Sequence, residues 1–226
     1  MRWLLIRHGE SEGNREWRLQ GQREYPMTER GRCQSDALSR RLARRQVAAV
    51  YSSPLRRASE TATVIAEALG LQVQALPAVQ EYDFGELSGL TWWEIHERAP
   101  AVAAAVVSHS GEYPHYPGEE GREAFRQRVC GALWGLREHH HGETVAVVTH
   151  AGAIAVFLMD LLGRPYRRPI PFVIENGSIT VVETLPGKGW SGAPPGVLVS
   201  LNDVCHVSTI GETPAEAYDF EETGEG

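Results

Sequence analysis

The apolar run WLLI at residues 3–6 leads directly into Arg7, His8 and Gly9. A second run, at residues 47–51, leads into Ser53-Pro54-Leu55-Arg56-Arg57-Ala58, and a third, at residues 144–148, into Thr149-His150-Ala151-Gly152. Each delivers an arginine or a histidine just beyond a segment that avoids water. Such groups serve an anion or a metal. A metal typically takes three or four His, Cys or carboxylate ligands, and an arginine beside them repels the cation. Arg7 next to His8 therefore favours the anion, and a phosphoryl group suits the set. During transfer its charge spreads over its equatorial oxygens, which calls for several fixed donors. The planar fork of arginine stays charged and grips two oxygens at once. A neutral histidine can attack phosphorus through one ring nitrogen.

The elements that must carry these residues follow from patterning. Continuous aliphatic and β-branched runs are the mark of strands covered on both faces of a parallel sheet. After the second run, Ser53 is a good N-cap with Pro54 at the first helical position. Leu55, Ala58, Ala62, Ile65 and Leu69 then form one apolar stripe, closed by Gly70. After the third run, AIAVFLMDLL reaches a C-terminal cap at Gly163. Strand, turn and helix in repetition predict an α/β fold whose right-handed crossovers keep the strands parallel. Ligands of such sheets bind beyond the carboxyl ends of the strands. There His8, Arg57 and His150 would meet.

Other segments complete the layers. Residues 28–43 read as a helix from a Thr28 cap, and Thr91-Trp92-Trp93-Glu94 as a capping box. Phe125, Val129, Leu133 and Leu136 make a further apolar stripe, and residues 179–183 and 197–201 read as strands joined by PGKGWSGAPPG. One of Trp92 and Trp93 is expected in the core. His139, His140 and His141 precede Gly142 and are expected to form a solvated helix end.

The chain of 226 residues is long enough for one sizeable core and has no mid-chain linker. A single domain over residues 1–211 is expected, followed by a mobile acidic tail at 212–226. A net charge of -7 argues against nucleic acid and anionic membranes as partners, since phosphate backbones are held by clustered Lys and Arg. An anionic substrate must then be gripped by a local pocket against an unfavourable field. Cys33, Cys130 and Cys205 form no Cys-x-x-Cys pair. With no signal-like apolar stretch, a cytoplasmic setting is expected.

Arg7-His8-Gly9-Glu10-Ser11 followed by Asn14 resembles the signature of the histidine phosphatase superfamily, the phosphoglycerate mutase-like proteins. The resemblance continues through Gln20-Gly21, through Pro26-Met27-Thr28 with Gly31, and through Ser53-Pro54-Leu55-Arg56-Arg57-Ala58 with Thr61-Ala62. It then takes in Glu81 within QEYDFGELSGLT, Pro117-Gly118-Glu119 and Thr149-His150-Ala151-Gly152, in order over most of the chain. It implies a three-layer α/β sandwich with a mostly parallel central sheet flanked by helices. It also implies that His8 is the nucleophile and phosphoryl carrier. Arg7, Arg57 and His150 would form the charged phosphate pocket, with Asn14 as a further donor and Ser11, Gln20 and Gly21 on the substrate side. Glu81 would protonate the leaving oxygen and then activate water. Arg57 is preferred to Arg56 because it begins the family's Arg-Ala-x-x-Thr-Ala pattern. No metal and no cofactor is implied. Read without the family, Asp83 and Glu86 compete with Glu81, and Ser11 and Asn14 are equally turn residues.

Family mutases typically carry a longer insertion, with basic residues, between the acid and the second histidine. Here that region is short and resembles the phosphatase branch, which implies phosphomonoester hydrolysis. A cofactor-dependent phosphoglycerate mutase is the alternative enzyme, and a non-catalytic phospholigand-binding protein the third reading; the presence of both His8 and Glu81 ranks it last. The expected partner is a small-molecule phosphomonoester, and a homodimer is an allowed assembly. Two departures bear on specificity. Glu24-Tyr25-Pro26-Met27-Thr28 stands where members have Asp-x-Pro-Leu-Thr, and Gly118-Glu119-Glu120 where they have Gly-Glu-Ser. The second removes a hydroxyl near the expected substrate mouth.

Overall fold

The computed structural model describes residues 1–107, 114–165, 170–184, 196–208 and 210. The acidic tail and nearly all of the PGKGWSGAPPG turn lie outside the described residues. In chain order the elements are β1 (Arg2–Arg7), α1 (Glu12–Arg15), α2 (Glu29–Leu42), β2 (Ala49–Ser52), α3 (Arg56–Leu69) and β3 (Val73–Ala75). They continue as α4 (Trp92–Arg98), α5 (Pro100–Val107), α6 (Arg122–Gly135), β4 (Thr144–Thr149), α7 (Ala151–Leu161), β5 (Ile179–Thr184) and β6 (Gly196–Asp203).

The strands form one sheet in the order β3-β2-β4-β1-β5-β6. Its four strands from β3 to β1 are mutually parallel, and β5 runs antiparallel between β1 and β6. The unbroken apolar runs have their reason in the layers. Leu4 and Ile6 of β1 join Val50, Ala146 and Val148 in a core with Leu38 and Leu42 of α2 and Ala58, Ala62 and Ile65 of α3. Trp3 and Leu5, pointing the other way, join Val145 and Val147 in a second core with Phe125, Val129 and Leu133 of α6 and Phe157 of α7. A strand sandwiched between helices has no face for polar residues. The predicted three-layer α/β architecture is the one observed.

Most predicted elements appear with their caps. Thr28 caps α2, its hydroxyl accepting from Gly31 N at 3.0 Å. Thr91 and Glu94 form the capping box of α4, and Gly70 ends α3 at φ 66°. The start of α3 differs from expectation. Ser53 does not cap it and Pro54 is not its first residue; the cap is Leu55, with no side-chain bond. Ser53 lies just past the end of β2 but is still tied to β4, its N–H donating to Val148 O at 3.0 Å, so the chain must turn through Pro54 before helical geometry begins.

Two side-chain expectations are also corrected. Neither tryptophan at the start of α4 is core: Trp92 is 36% and Trp93 74% exposed. A two-turn helix has a narrow inner face, and Ile95 occupies it beside Leu87 and Val102. The triple histidine is only partly solvated. His140 lies between Tyr51 Oη at 2.8 Å and Glu143 Oε2 at 2.7 Å, which engage both ring nitrogens.

Candidate active site

Strands β2, β4 and β1 are neighbours at the centre of the sheet, so the residues just beyond their carboxyl ends converge although they are far apart in sequence. His8 follows β1, its N–H donating to Thr149 O at 3.0 Å. The ring is almost wholly buried. Its Nδ1 lies 2.7 Å from the carbonyl oxygen of Gly9, and its Nε2 lies 3.2 Å from Arg57 Nε. A carbonyl only accepts and a guanidinium only donates, so the proton sits on Nδ1 and Nε2 keeps an unprotonated lone pair that accepts the Arg57 N–H. Burial, and then the charges of Arg57 and Arg7, hold the His8 pKa well below 6.5. The ring is neutral at pH 7.

Arg57 comes from the first turn of α3 and is 1% exposed. Besides Nε, it donates from Nη1 to Arg23 O at 2.9 Å and from Nη2 to Gly21 O at 2.7 Å. Gly21 turns its carbonyl to the guanidinium from φ 53°, a conformation that favours glycine. Burial lowers the Arg57 pKa to about 10 while Glu81 and Glu24 oppose the shift, so the charge persists. Arg56, the rejected neighbour, faces outward and pairs with Glu60 at 2.7 Å. Arg7 reaches the same rim, with Nη1 donating to Ile174 O at 2.6 Å.

His150 is the N-terminal flanking residue of α7 and is fully buried, its ring centroid 5.1 Å from that of His8. Burial first, and the charges of Arg57, His8 and Arg7 after it, keep its pKa well below 6.5. Nε2 lies 2.8 Å from Ser53 Oγ. Nδ1 has no partner among the described residues.

Glu81 arrives on the loop after β3. Arg128 of α6 clasps that loop, donating to the carbonyls of Ala78, Gln80 and Glu81 at 2.8–2.9 Å. The Glu81 carboxylate accepts from Tyr82 N at 2.8 Å and from Gly152 N, in the first turn of α7, at 3.0 Å. A Cβ at position 152 would overlap Glu81 Oε1, so the carboxylate's seat requires glycine there. The competing carboxylates are elsewhere: Asp83 accepts from Gly85 N at 2.9 Å, and Glu86 is exposed. Glu120, which departs from the Gly-Glu-Ser of the family resemblance, bridges Arg128 at 2.8 Å and accepts from Asp83 N at 2.9 Å. The departure thus steadies the Glu81 loop.

Asn14 stands at the end of its capping box. Its Oδ1 accepts from Ser11 N at 3.1 Å, Ser11 Oγ at 2.8 Å and Asn176 Nδ2 at 3.2 Å. With the carbonyl side so engaged, the amide can offer only its NH2 to a ligand. Ser11 and Gln20 face each other at 2.8 Å, and both are buried. They shape the loop, and Gly21 contributes through Arg57.

The sequence reading did not single out Asn176 or Arg128, and it quoted Thr61 without giving it a role in the site. Asn176 Nδ2 also donates to His8 O at 3.0 Å, and Thr61 Oγ1 accepts from Gly9 N at 3.0 Å. Asn176 in the turn before β5 and an arginine next to Val129 of the α6 apolar stripe were the available signals. Ser53 was noticed, but for a different role.

Two guanidiniums, two neutral imidazoles, a bare ring nitrogen and a carboxylate at a helix start suit capture and attack of a phosphoryl group. A cation at His8 Nε2 would face the Arg57 N–H group instead of an anionic ligand.

Known proteins agree with this chemistry. Residues 3–192 match the model of the histidine phosphatase superfamily (branch 1). Phosphoserine phosphatase 1 of Hydrogenobacter thermophilus is 33% identical over 95% of this chain and 97% of its own. A metal-independent phosphoserine phosphatase of Arabidopsis thaliana is 34% identical over 92% of this chain and 84% of its own. Among solved structures, Bacillus stearothermophilus YhfR superposes with a TM-score of 0.82 at 26% identity, covering 91% of this chain and 98% of that one.

Proposed function

Because the chain belongs to the histidine phosphatase superfamily (branch 1) and is a phosphatase, we propose that it hydrolyses small phosphomonoesters through a phosphohistidine on His8. The observation that carries this reading is the contact between Arg57 Nε and His8 Nε2 at 3.2 Å. It keeps the nitrogen that must attack unprotonated, ready to exchange the Arg57 N–H for phosphorus, and sets a permanent charge beside the phosphoryl oxygens.

In the first half-reaction the His8 Nε2 lone pair bonds to phosphorus as the ester P–O bond breaks, and the Glu81 carboxyl gives its proton to the leaving oxygen. In the second, water attacks the phosphohistidine. Glu81 takes a proton from that water, the P–N bond breaks, and inorganic phosphate departs. Arg7, Arg57 and the Asn14 amide hold the equatorial oxygens throughout. The arginines supply the charge that other phosphatases draw from metal ions. Phosphoserine is the first natural ester to test, on the names of the two curated relatives. A cytoplasmic location accords with the free thiols, since Cys33 and Cys205 are exposed and unpaired.

Release of inorganic phosphate from an activated aryl phosphomonoester, in excess EDTA, tests the proposal. The parent should turn over undiminished by the chelator, and His8→Ala should lose at least about 1000-fold. Loss of turnover in EDTA, or an active His8→Ala, would overturn it. So would a parent that only interconverts phosphoglycerates.

A further inference from the structure

Ser53 and His150 are fully buried and come from the adjacent strand ends of β2 and β4. Ser53 Oγ accepts the Leu55 N–H at 3.3 Å, and its 2.8 Å contact to His150 Nε2 is the other bond it makes among the described residues. The hydroxyl's own proton therefore points at Nε2, which must accept it. A neutral imidazole that accepts at Nε2 carries its proton on Nδ1, and Nδ1 is buried without a hydrogen-bond partner among the described residues. A buried donor left unsatisfied needs an explanation, and at this rim the missing acceptor is the substrate.

We propose that Ser53 is a positioning residue that holds His150 in its Nδ1–H tautomer, making the histidine a hydrogen-bond donor to the phosphoryl oxygens. The inference rests on the phosphatase reading above. In that reading the two histidines share one tautomer for opposite purposes. His8 exposes the lone pair of Nε2 to attack phosphorus, while His150 presents the proton of Nδ1 to phosphorus-bound oxygen. Without the Ser53 hydroxyl nothing selects Nδ1–H, and a lone pair on Nδ1 facing an anionic oxygen repels it. Burial and the surrounding arginines keep His150 from escaping this choice by taking a second proton.

The tautomer is read directly by long-range proton–nitrogen correlation of 15N-histidine-labelled protein, with His150→Gln assigning the signal. The resting parent should show Nδ1–H at His150, and inorganic phosphate should move that resonance. In Ser53→Ala the signal should shift towards Nε2–H, with aryl phosphate turnover falling roughly 100-fold, the scale of losing one oriented donor. Ser53→Thr, which returns the hydroxyl, should recover the parental tautomer and most of the rate. An Nε2–H signal in the parent overturns the inference whether or not the variants fold, and so does Ser53→Ala activity within about twofold of the parent. Because the tautomer needs no turnover, a parent that shows Nδ1–H but hydrolyses nothing overturns the phosphatase reading separately.

Discussion

His8 and His150 are buried beside two arginines, and this has an energetic cost as well as a chemical use. Burial first and the guanidiniums second depress both pKa values well below 6.5. In the unfolded chain the same rings titrate near 6.5. Between the folded and unfolded values the unfolded chain binds more protons, so acid favours unfolding. The stability at stake is complete above about pH 6.5 and is lost as pH falls, by up to about 1.4 kcal/mol per pH unit for each ring. Urea unfolding should therefore weaken between about pH 7 and about pH 5.5, and His150→Gln should show a shallower slope across that window. Equal slopes would mean that His150 is charged in the fold. Protonation also removes the His8 lone pair, so the depressed pKa keeps the proposed nucleophile available below pH 6.5.

Elements carry these residues through their ends and their rotation. On α3, Arg56 and Arg57 are neighbours, yet one helical step of about 100° sends Arg57 into the site and Arg56 out to Glu60. At the start of α2, Thr28 does more than cap. Its N–H donates to Glu10 O at 2.9 Å, and its hydroxyl both accepts from Gly31 N and donates to Glu10 Oε1 at 2.7 Å. The cap ties α2 to the loop that follows His8. Thr28→Ala should cost about 1 kcal/mol or more in urea unfolding, while Thr28→Ser should restore most of it. A Thr28→Ala protein as stable as the parent would show that water replaces both bonds without loss.

Among the described residues, two main cores lie on opposite faces of one sheet, with a smaller cluster of Leu87, Ile95 and Val102 beside them. Ile65 lies in the core with α2 and α3, and Phe157 in the core with α6 and α7. Each is fully buried, so Ile65→Ala should cost about 2–5 kcal/mol and Phe157→Ala about 3–5 kcal/mol. Since the sheet keeps them from sharing partners, the two losses should add to within about 0.5 kcal/mol in the double variant. Strong coupling in denaturant unfolding would contradict the two-core description. At the same scale, a chain of net charge -7 keeps Arg7 and Arg57 on one rim, so attraction for a phosphate is local.

The sequence by itself determined the layers and much of the site. Runs such as WLLI and VAVV leave no polar face, and only a sheet covered on both sides accommodates them. The arginine and histidines at their ends then had to share a rim, and the choice of Arg57 over Arg56 came from the resemblance to the family's Arg-Ala-x-x-Thr-Ala pattern. Local signals misled where tertiary pairing competed with them. Ser53-Pro54 has the composition of a helix start, but the bond from Ser53 N–H to Val148 O of β4 ties Ser53 to the end of the sheet; Trp92 and Trp93 lost the inner face of α4 to Ile95. Only the tertiary structure decided which nitrogen of His8 carries its proton, that Asn176 braces His8 and Asn14, and that Ser53 meets His150 across 97 residues. Such pairings follow from strand order and register. Periodicity and propensity record how each segment meets water, not which segments become neighbours.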